Sequence, residues 1–196
     1  MKTKIFCVIG EDAAKIALLL TNMIVKYNFA IFPSGEEWKY FSALEQFAKG
    51  TLNGIPSGFS IRILLPFQQH QIIFFIIHLP AFLTQTLLYN TDAFLLCLPE
   101  NMQDAIKFID DFIRIAAIRM FPFFWRRRVL KPVLIFSRKS INIYHFTKFF
   151  KNIHTINISQ AKLDFSGIFD EKTHNILAVA LQWLGYVTNL RIHLPV

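Results

Sequence analysis

The chain has 196 residues, a length that fits one domain with a sizeable buried core. Apolar residues make up 54% of it, and charged residues only 17%, which argues against a lone soluble monomer and for a permanent partner or a membrane face. The net charge of +8 favours anionic partners such as acidic lipid, acidic protein or nucleic acid, with a plain solubility charge as the alternative.

Cysteine use and the apolar segments bear on the compartment. Cys7 and Cys97 both lie inside apolar runs, which indicates buried thiols in a reducing compartment and no disulfide or metal pair. The first nine residues resemble a signal peptide, but Glu11 and Asp12 end that run too early. Residues 63–91 contain no charged side chain, so a membrane span is the alternative there. Two buried elements with a turn at residues 78–80 fit the interruptions better.

The first half of the chain predicts a strand, two helices and a hairpin. A short apolar run predicts a strand over residues 4–9, and apolar spacing from residue 11 predicts a helix. Residues 33–56 are predicted as a loop that contains one short helix over residues 36–47. Strand-like runs over residues 60–65 and 71–77, separated by the five residues "PFQQH", predict a hairpin.

The second half alternates strands and helices. A buried strand is predicted over residues 92–98, followed by a helix that Asn101 caps. Residues 131–140 contain a strand opened by proline, and a Phe-rich helix is predicted over residues 143–150. A short strand over residues 154–159 precedes a final helix over residues 170–184, with Gly185 as its stop signal.

This alternation predicts the fold class. We expect an α/β, three-layer domain with a mostly parallel six-stranded sheet, one antiparallel hairpin pair and helices on both faces. The domain is predicted to span residues 1–186. The remaining tail, residues 187–196, alternates apolar and polar side chains and could pair with a sheet edge or dock on a partner.

The element order and several local stretches resemble the small Ras/Arf-like GTPase superfamily. "NTDAFLLCLPENMQDAIKFIDDFI" resembles the family's fourth strand and third helix, and "KPVLIFSRKS" resembles its fifth strand and guanine-recognition motif. "INISQAKLDFSGIFD" resembles its last strand and Ser-Ala-Lys motif. The resemblance covers nearly the whole chain and implies a P-loop fold. It also implies phosphate, Mg²⁺ and guanine motifs, each of which can be compared with this sequence.

The phosphate loop is degenerate. The family pattern requires Gly, four residues, then Gly-Lys-Ser/Thr, because its backbone N–H groups and its Lys hold the phosphates. Gly10 is present, but Lys15 stands one place early, and the second glycine and the hydroxyl are missing. Glu11 and Asp12 would direct negative charge at a triphosphate.

The other two ligand motifs are degenerate as well. His78 and Ala81 stand where the resemblance places the Mg²⁺-ordering Asp and the phosphate-sensing Gly. The guanine motif aligns with Ser137, Arg138, Lys139 and Ser140, and Ser140 lacks the carboxylate that would accept the guanine N–H groups. An outline of the Ser-Ala-Lys motif survives at residues 159–162, and the mobile loop offers Thr51 without a convincing Mg²⁺ context. These losses predict that GTP binding and hydrolysis are gone.

Other chemistry finds little support. A metal site formed by His70 and His78, which are near in sequence, is conceivable, although hydrogen-bonded histidines are the commoner case. Asp110 and Asp111 are adjacent on a helix and point in different directions, so we expect them to be solvated. Ser57, Ser60 and His70 could form a hydrolase site, but nothing in the pattern singles them out. We therefore predict no catalytic residues, cofactor or metal.

The most unusual stretch is "MFPFFWRRRVLKP", residues 120–132, which places aromatic residues beside three arginines. It fits a protein interface, an anionic membrane surface or, with less support, nucleic acid. The alternative is that the rings fill the core and the arginines are solvated. The predicted contact residues are Phe121, Phe123, Phe124, Trp125, Arg126, Arg127 and Arg128.

These observations predict a catalytically inactive GTPase-like domain that serves as a structural subunit or adaptor in a protein complex. We expect no small-molecule substrate and a cytoplasmic location, with the cytoplasmic face of a membrane as a second location. The alternatives are a divergent nucleotide-binding NTPase and a peripheral membrane protein.

Overall fold

The structure is a computed structural model that describes residues 1–48, 59–120, 131–142, 150–161, 163 and 170–194. Six strands and five helices occur in these ranges, along with two short 3-10 turns, Pro66–Gln68 and Pro80–Phe82. In chain order the strands and helices are β1 (Lys2–Ile9), α1 (Ala13–Asn28), α2 (Gly35–Ala48), β2 (Phe59–Leu65), β3 (His70–Ile77), α3 (Gln85–Asn90), β4 (Ala93–Cys97), α4 (Met102–Met120), β5 (Pro132–Ser137), β6 (Lys151–Asn157) and α5 (Glu171–Thr188).

The six strands form one sheet in the order β2-β3-β1-β4-β5-β6. Only β2 and β3 pair antiparallel, and every other neighbouring pair is parallel. Helices cover both faces, so strands such as β4 are buried throughout and are continuous apolar runs. The predicted three-layer α/β fold, with its mostly parallel sheet and one hairpin, is confirmed.

Two apolar cores lie on opposite faces of the sheet. Successive side chains of a strand point to opposite faces, so Phe6 and Val8 of β1 enter one core while Cys7 and Ile9 enter the other. The first core is formed with α1, α2 and α5, and the second with α3 and α4. Between the sheet, α2 and α5, helix α1 is buried over most of its surface, which explains its apolar run from Ile16 to Leu20.

The uncharged stretch over residues 63–91 divides into short elements. It contributes the last three residues of β2, all of β3 and helix α3, with 3-10 turns at Pro66–Gln68 and Pro80–Phe82. The predicted hairpin is confirmed, because Phe59 pairs with Ile76 and Leu65 with His70. The expectation of a buried element after the turn at residues 78–80 is wrong, because within α3 only Leu88 is buried. Among the helices of the described ranges, none is long and apolar enough to cross a membrane.

The predicted start of α4 is confirmed, whereas the predicted end of α5 is wrong. Asn101 accepts a hydrogen bond from the Gln103 N–H at 3.0 Å, as a helix cap does. Gly185 lies inside α5, which continues to Thr188 and ends at Asn189 in a left-handed conformation. A Cβ at Gly185 would lie 2.8 Å from the Leu190 carbonyl oxygen, so the glycine serves the close return of the chain after the helix.

The described part of the tail lies against its own domain. Residues 189–194 form no strand, and Leu190 is buried in the first core. The Asn28 side chain, at the end of α1, donates to the His193 carbonyl at 3.1 Å and accepts from the His193 N–H at 2.7 Å. Residues 187 and 188 belong to α5, so the tail begins at residue 189. Docking of the tail on a partner stays a prediction.

Candidate functional site

The carboxyl ends of the parallel strands meet at one edge of the sheet, where open α/β sheets bind ligands. The strand order reverses at β1, which lies between β3 and β4. Gly10 follows β1, His78 follows β3 and Arg138 follows β5. The fold therefore brings to the same edge the three segments that the GTPase resemblance aligns with phosphate, metal and guanine motifs.

Gly10 packs closely against the ends of the two strands that flank β1, namely β3 and β4. Its N–H donates to the Ile77 carbonyl at 3.0 Å, and its φ of +129° is a conformation that L side chains rarely adopt. A Cβ at this position would lie 2.0 Å from the Cys97 carbonyl oxygen. The glycine is thus required by the approach of the β1 end to β4, independently of any ligand.

The connection from β1 to α1 consists of Gly10, Glu11 and Asp12, because the helix already begins at Ala13. The Ala13 N–H donates to the Gly10 carbonyl at 3.2 Å, which makes the turn tight. Asp12 occupies the cap position of α1 but makes no side-chain cap hydrogen bond. Its carboxylate turns to two cations instead.

Asp12 forms ion pairs with Lys15 of α1 and with Arg138, which follows β5. Its Oδ1 lies 3.2 Å from Lys15 Nζ, and its Oδ2 lies 3.6 Å from Arg138 Nη2. All three side chains are partly exposed, so each pair contributes about 0–1 kcal/mol of stability after solvent screening. The arrangement leaves one net positive charge on the three groups.

The segment after β5 also satisfies its own polar groups. The Ser137 hydroxyl, which is buried, donates to the Lys139 carbonyl at 2.7 Å and accepts from the Lys139 N–H at 3.2 Å. Ser140 is exposed. The hydroxyl of the last residue of β5 is therefore used in a local turn.

The histidine metal hypothesis is wrong for geometric reasons. His70 opens β3 and His78 follows its last residue, so the two lie roughly 26 Å apart at about 3.3 Å per residue. Ala81, the other residue of that motif, accepts a hydrogen bond from Arg119 of α4 at 3.2 Å. Across the described ranges no group of three or more His, Cys, Asp or Glu side chains could hold a metal ion.

The remaining chemical candidates do not come together. Ser60 pairs with Phe75 near the far end of the hairpin, whereas His70 lies at its turn, so the two share no site. Asp111 forms an ion pair with Arg114 at 2.9 Å, while Asp110 is exposed. Ser57, Thr51, Lys162 and most of the predicted helix over residues 143–150 lie outside the described residues.

Cys7 and Cys97 are free and buried, as predicted. Burial raises the pKa of the Cys7 thiol. Burial, and to a smaller extent the negative charge of Asp12, raises the pKa of the Cys97 thiol. Because the thiolate is the reactive form, both sulfurs are poor nucleophiles and poor metal ligands.

The aromatic–arginine stretch lies outside the described residues from Phe121 to Leu130, so the predicted contacts of its rings and of Arg126, Arg127 and Arg128 stay predictions. Sequence reasoning also missed the pairing of Asp12 with Arg138. No local pattern in the sequence signals this contact, because it depends on β1 and β5 lying parallel with their ends at one edge.

Comparison with models of known protein families gives no match, and a comparison with curated proteins gives none either. Function must therefore be argued from the fold and from the residues at this edge.

Proposed function

We propose that this chain is a GTPase-like domain that no longer binds nucleotide and serves as a structural subunit or adaptor in a protein complex. The observation that carries the proposal is the Asp12 carboxylate, which lies at the start of α1 and contacts both Lys15 and Arg138. It stands where a bound phosphate would bring negative charge.

The start of a helix carries partial positive charge and favours an anion. Asp12 supplies that anion from within the chain, and it also neutralises one of the two cations that a phosphate would use. A triphosphate would have to displace the carboxylate from Lys15 and Arg138 and then remain near Asp12 and Glu11. Repulsion between the triphosphate and the two carboxylates would oppose binding.

Gly10 does not weaken this argument. A glycine at the end of the first strand is compatible with a phosphate loop, but here its backbone conformation and its contact with Cys97 account for it fully. The connection to α1 is also three residues long, which supports a strand–helix joint over a phosphate cradle.

The adaptor role rests on the apolar surface. Within the described ranges Tyr186 is 81% exposed, Trp38 54% and Tyr40 53%, in a chain of which 54% is apolar. Exposed aromatic side chains are typical anchors of protein interfaces. A cytoplasmic location belongs to this proposal and agrees with two free thiols.

Nucleotide binding can be tested by thermal denaturation of the purified protein with GTP or ATP and Mg²⁺. A ligand at 100 times its Kd would raise the midpoint by roughly 5–10 °C in a domain of this size. We expect no shift for the wild type. A shift that Lys15→Ala abolishes would support the divergent NTPase and overturn the proposal.

A matched variant separates charge from shape. Asp12→Asn keeps the size of the side chain but removes its charge, so it frees both cations for an anion. If Asp12 is what opposes phosphate, inorganic triphosphate should bind this variant more tightly than it binds the wild type. Equal and strong binding by both proteins would contradict the role given to Asp12.

The adaptor role is tested by purification from the native cell. We expect a stoichiometric protein partner, and higher solubility when chain and partner are expressed together than when the chain is expressed alone. A soluble monomer that recovers no stoichiometric partner would refute the role.

A further inference from the structure

The amino edge of the sheet, opposite the candidate site, carries an exposed apolar surface. We call it the amino-edge patch and define it by Met1, Phe29, Ile31 and Phe67. All four side chains are more than half exposed. They come from the start of β1, the end of α1, the segment after it and the turn between β2 and β3.

The two rings of the patch stand on adjacent turns. Phe67 lies in the Pro66–Gln68 turn, and Phe29 follows the last residue of α1. Their ring centroids are 6.3 Å apart in an edge-on arrangement. Two hollows of about 400 and 340 Å³ flank this hairpin turn, the first lined by Leu65 and Gln68 among others, the second by Leu64 and Gln69.

The backbone conformation at position 29 does not favour a phenylalanine. Its φ is +50°, a left-handed conformation that glycine or asparagine adopts with less strain. The ring is 77% exposed, so the strain is not offset by burial in the core. A strained position that presents an exposed aromatic ring points to a contact outside the domain.

The charges next to the patch are positive. Lys2 follows Met1, Lys26 precedes Tyr27 at the end of α1, and Arg191 accepts a hydrogen bond at its carbonyl from the Gln68 side chain. All three side chains are exposed. None of the residues that line the two hollows is acidic, within the part of the chain that the structure describes.

We propose that the amino-edge patch binds an anionic lipid surface. Phe29 and Phe67 enter the interfacial region, and Lys2, Lys26 and Arg191 contact the lipid headgroups. Exposed aromatic rings next to positively charged side chains are typical of peripheral membrane-binding surfaces. On such surfaces the rings insert into the interface and the cations attract anionic lipid.

The amino-edge patch contains no residue of the aromatic–arginine stretch. Lipid binding by the patch does not depend on whether the carboxyl edge binds nucleotide. The thermal shift experiment therefore tests the proposed function separately. An acidic protein segment is the other occupant that the same charges would suit, and the test distinguishes the two.

The test uses the full chain and sedimentation with vesicles of phosphatidylcholine and phosphatidylserine in a 7:3 ratio, with pure phosphatidylcholine as the neutral comparison. We expect binding to the anionic vesicles that weakens as salt is raised. Phe29→Asn with Phe67→Gln should lower the partition coefficient by about tenfold or more, because two rings are withdrawn from the interface.

The variants are chosen so that misfolding cannot mimic the result. Asparagine tolerates the left-handed backbone at position 29, so the thermal midpoint should be retained or raised. Tyr186→Gln, at an equally exposed aromatic on α5, is the matched control and should leave the partition coefficient unchanged. Replacing Lys2, Lys26 and Arg191 by Glu should lower it by roughly 100-fold.

Three results would overturn the proposal. The first is no binding to the anionic vesicles. The second is binding that the Phe29 and Phe67 substitutions leave intact while Arg126, Arg127 and Arg128→Glu abolish it. The third is vesicle binding unaffected by the Phe29 and Phe67 substitutions while the same substitutions release a co-purified protein, which would make the patch a protein interface.

Discussion

Substitution of Gly10 by alanine tests the reasoning about the β1–α1 joint most directly. The new Cβ would lie 2.0 Å from the Cys97 carbonyl oxygen, a backbone atom that cannot rotate away. The φ of +129° adds strain of about 1–3 kcal/mol for a residue with a side chain. Relief of the overlap by separating β1 from β4 adds about 1–3 kcal/mol, the usual cost of overpacking.

We therefore expect Gly10→Ala to lower the free energy of unfolding by about 2–6 kcal/mol, the sum of these two costs, out of a total of about 5–15 kcal/mol for a typical domain. Urea denaturation measures this loss. Gly35→Ala is the matched control, because its Cβ meets nothing within 4 Å and alanine favours the helix that begins there. Its stability should equal or exceed that of the wild type by up to about 1 kcal/mol.

The result that would refute this reasoning is a Gly10→Ala protein within about 1 kcal/mol of the wild type, since overlap and strain together exceed that value. A normal stability would mean that the structure does not require Gly10, which would favour a role in ligand binding. The thermal shift experiment with nucleotide would then decide between the two roles.

Three further predictions follow from named contacts. Asn28→Ala should lower the free energy of unfolding by about 1–3 kcal/mol and speed proteolysis of the tail, because both bonds to His193 are lost; unchanged proteolysis would contradict the tail contact. Burial raises the pKa of Cys7 above its ordinary value of 9.0, so the folded protein retains a thiol proton that the unfolded chain loses. The stability from this thiol is present below pH 9.0 and falls by up to about 1.4 kcal/mol per pH unit above it. The difference in stability between wild type and Cys7→Ala should thus shift against the wild type from pH 8 to pH 10, and a constant difference would argue against a buried thiol. Asp12→Asn should change the free energy of unfolding by no more than about 1 kcal/mol, less at high salt, and a larger loss would mean that its ion pairs are less exposed to solvent than described.

The predicted elements agree with the structure where the apolar pattern and the local signals coincide. Asn101 was identified as a cap because a cap side chain bonds to the backbone only two residues along the chain. The hairpin was identified by two strand-like runs only five residues apart. Gly185 was misread as a helix stop because glycine is common at helix ends. Its true role depends on Leu190 returning over the helix, a contact that no local pattern encodes.

The candidate site was predictable residue by residue but not as an arrangement. The mismatch of Lys15 and Ser140 with ligand-binding motifs is visible in the sequence alone. That the Asp12 carboxylate contacts Arg138 is not, because the two meet only when β1 and β5 lie parallel with their ends at one edge. The amino-edge patch likewise joins Phe29 and Phe67 through the turn of one hairpin and the end of one helix.

The sequence by itself determined the α/β class and most of its elements, because strands covered on both faces must be apolar throughout and helices repeat their apolar positions every three to four residues. Only the tertiary structure decided the strand order, the role of Gly10 and the neighbours of Asp12, Gly185 and Phe29. Each of these depends on contacts between segments that are distant in the sequence. Strand pairing brings those segments together, and the local sequence pattern does not predict which of them meet.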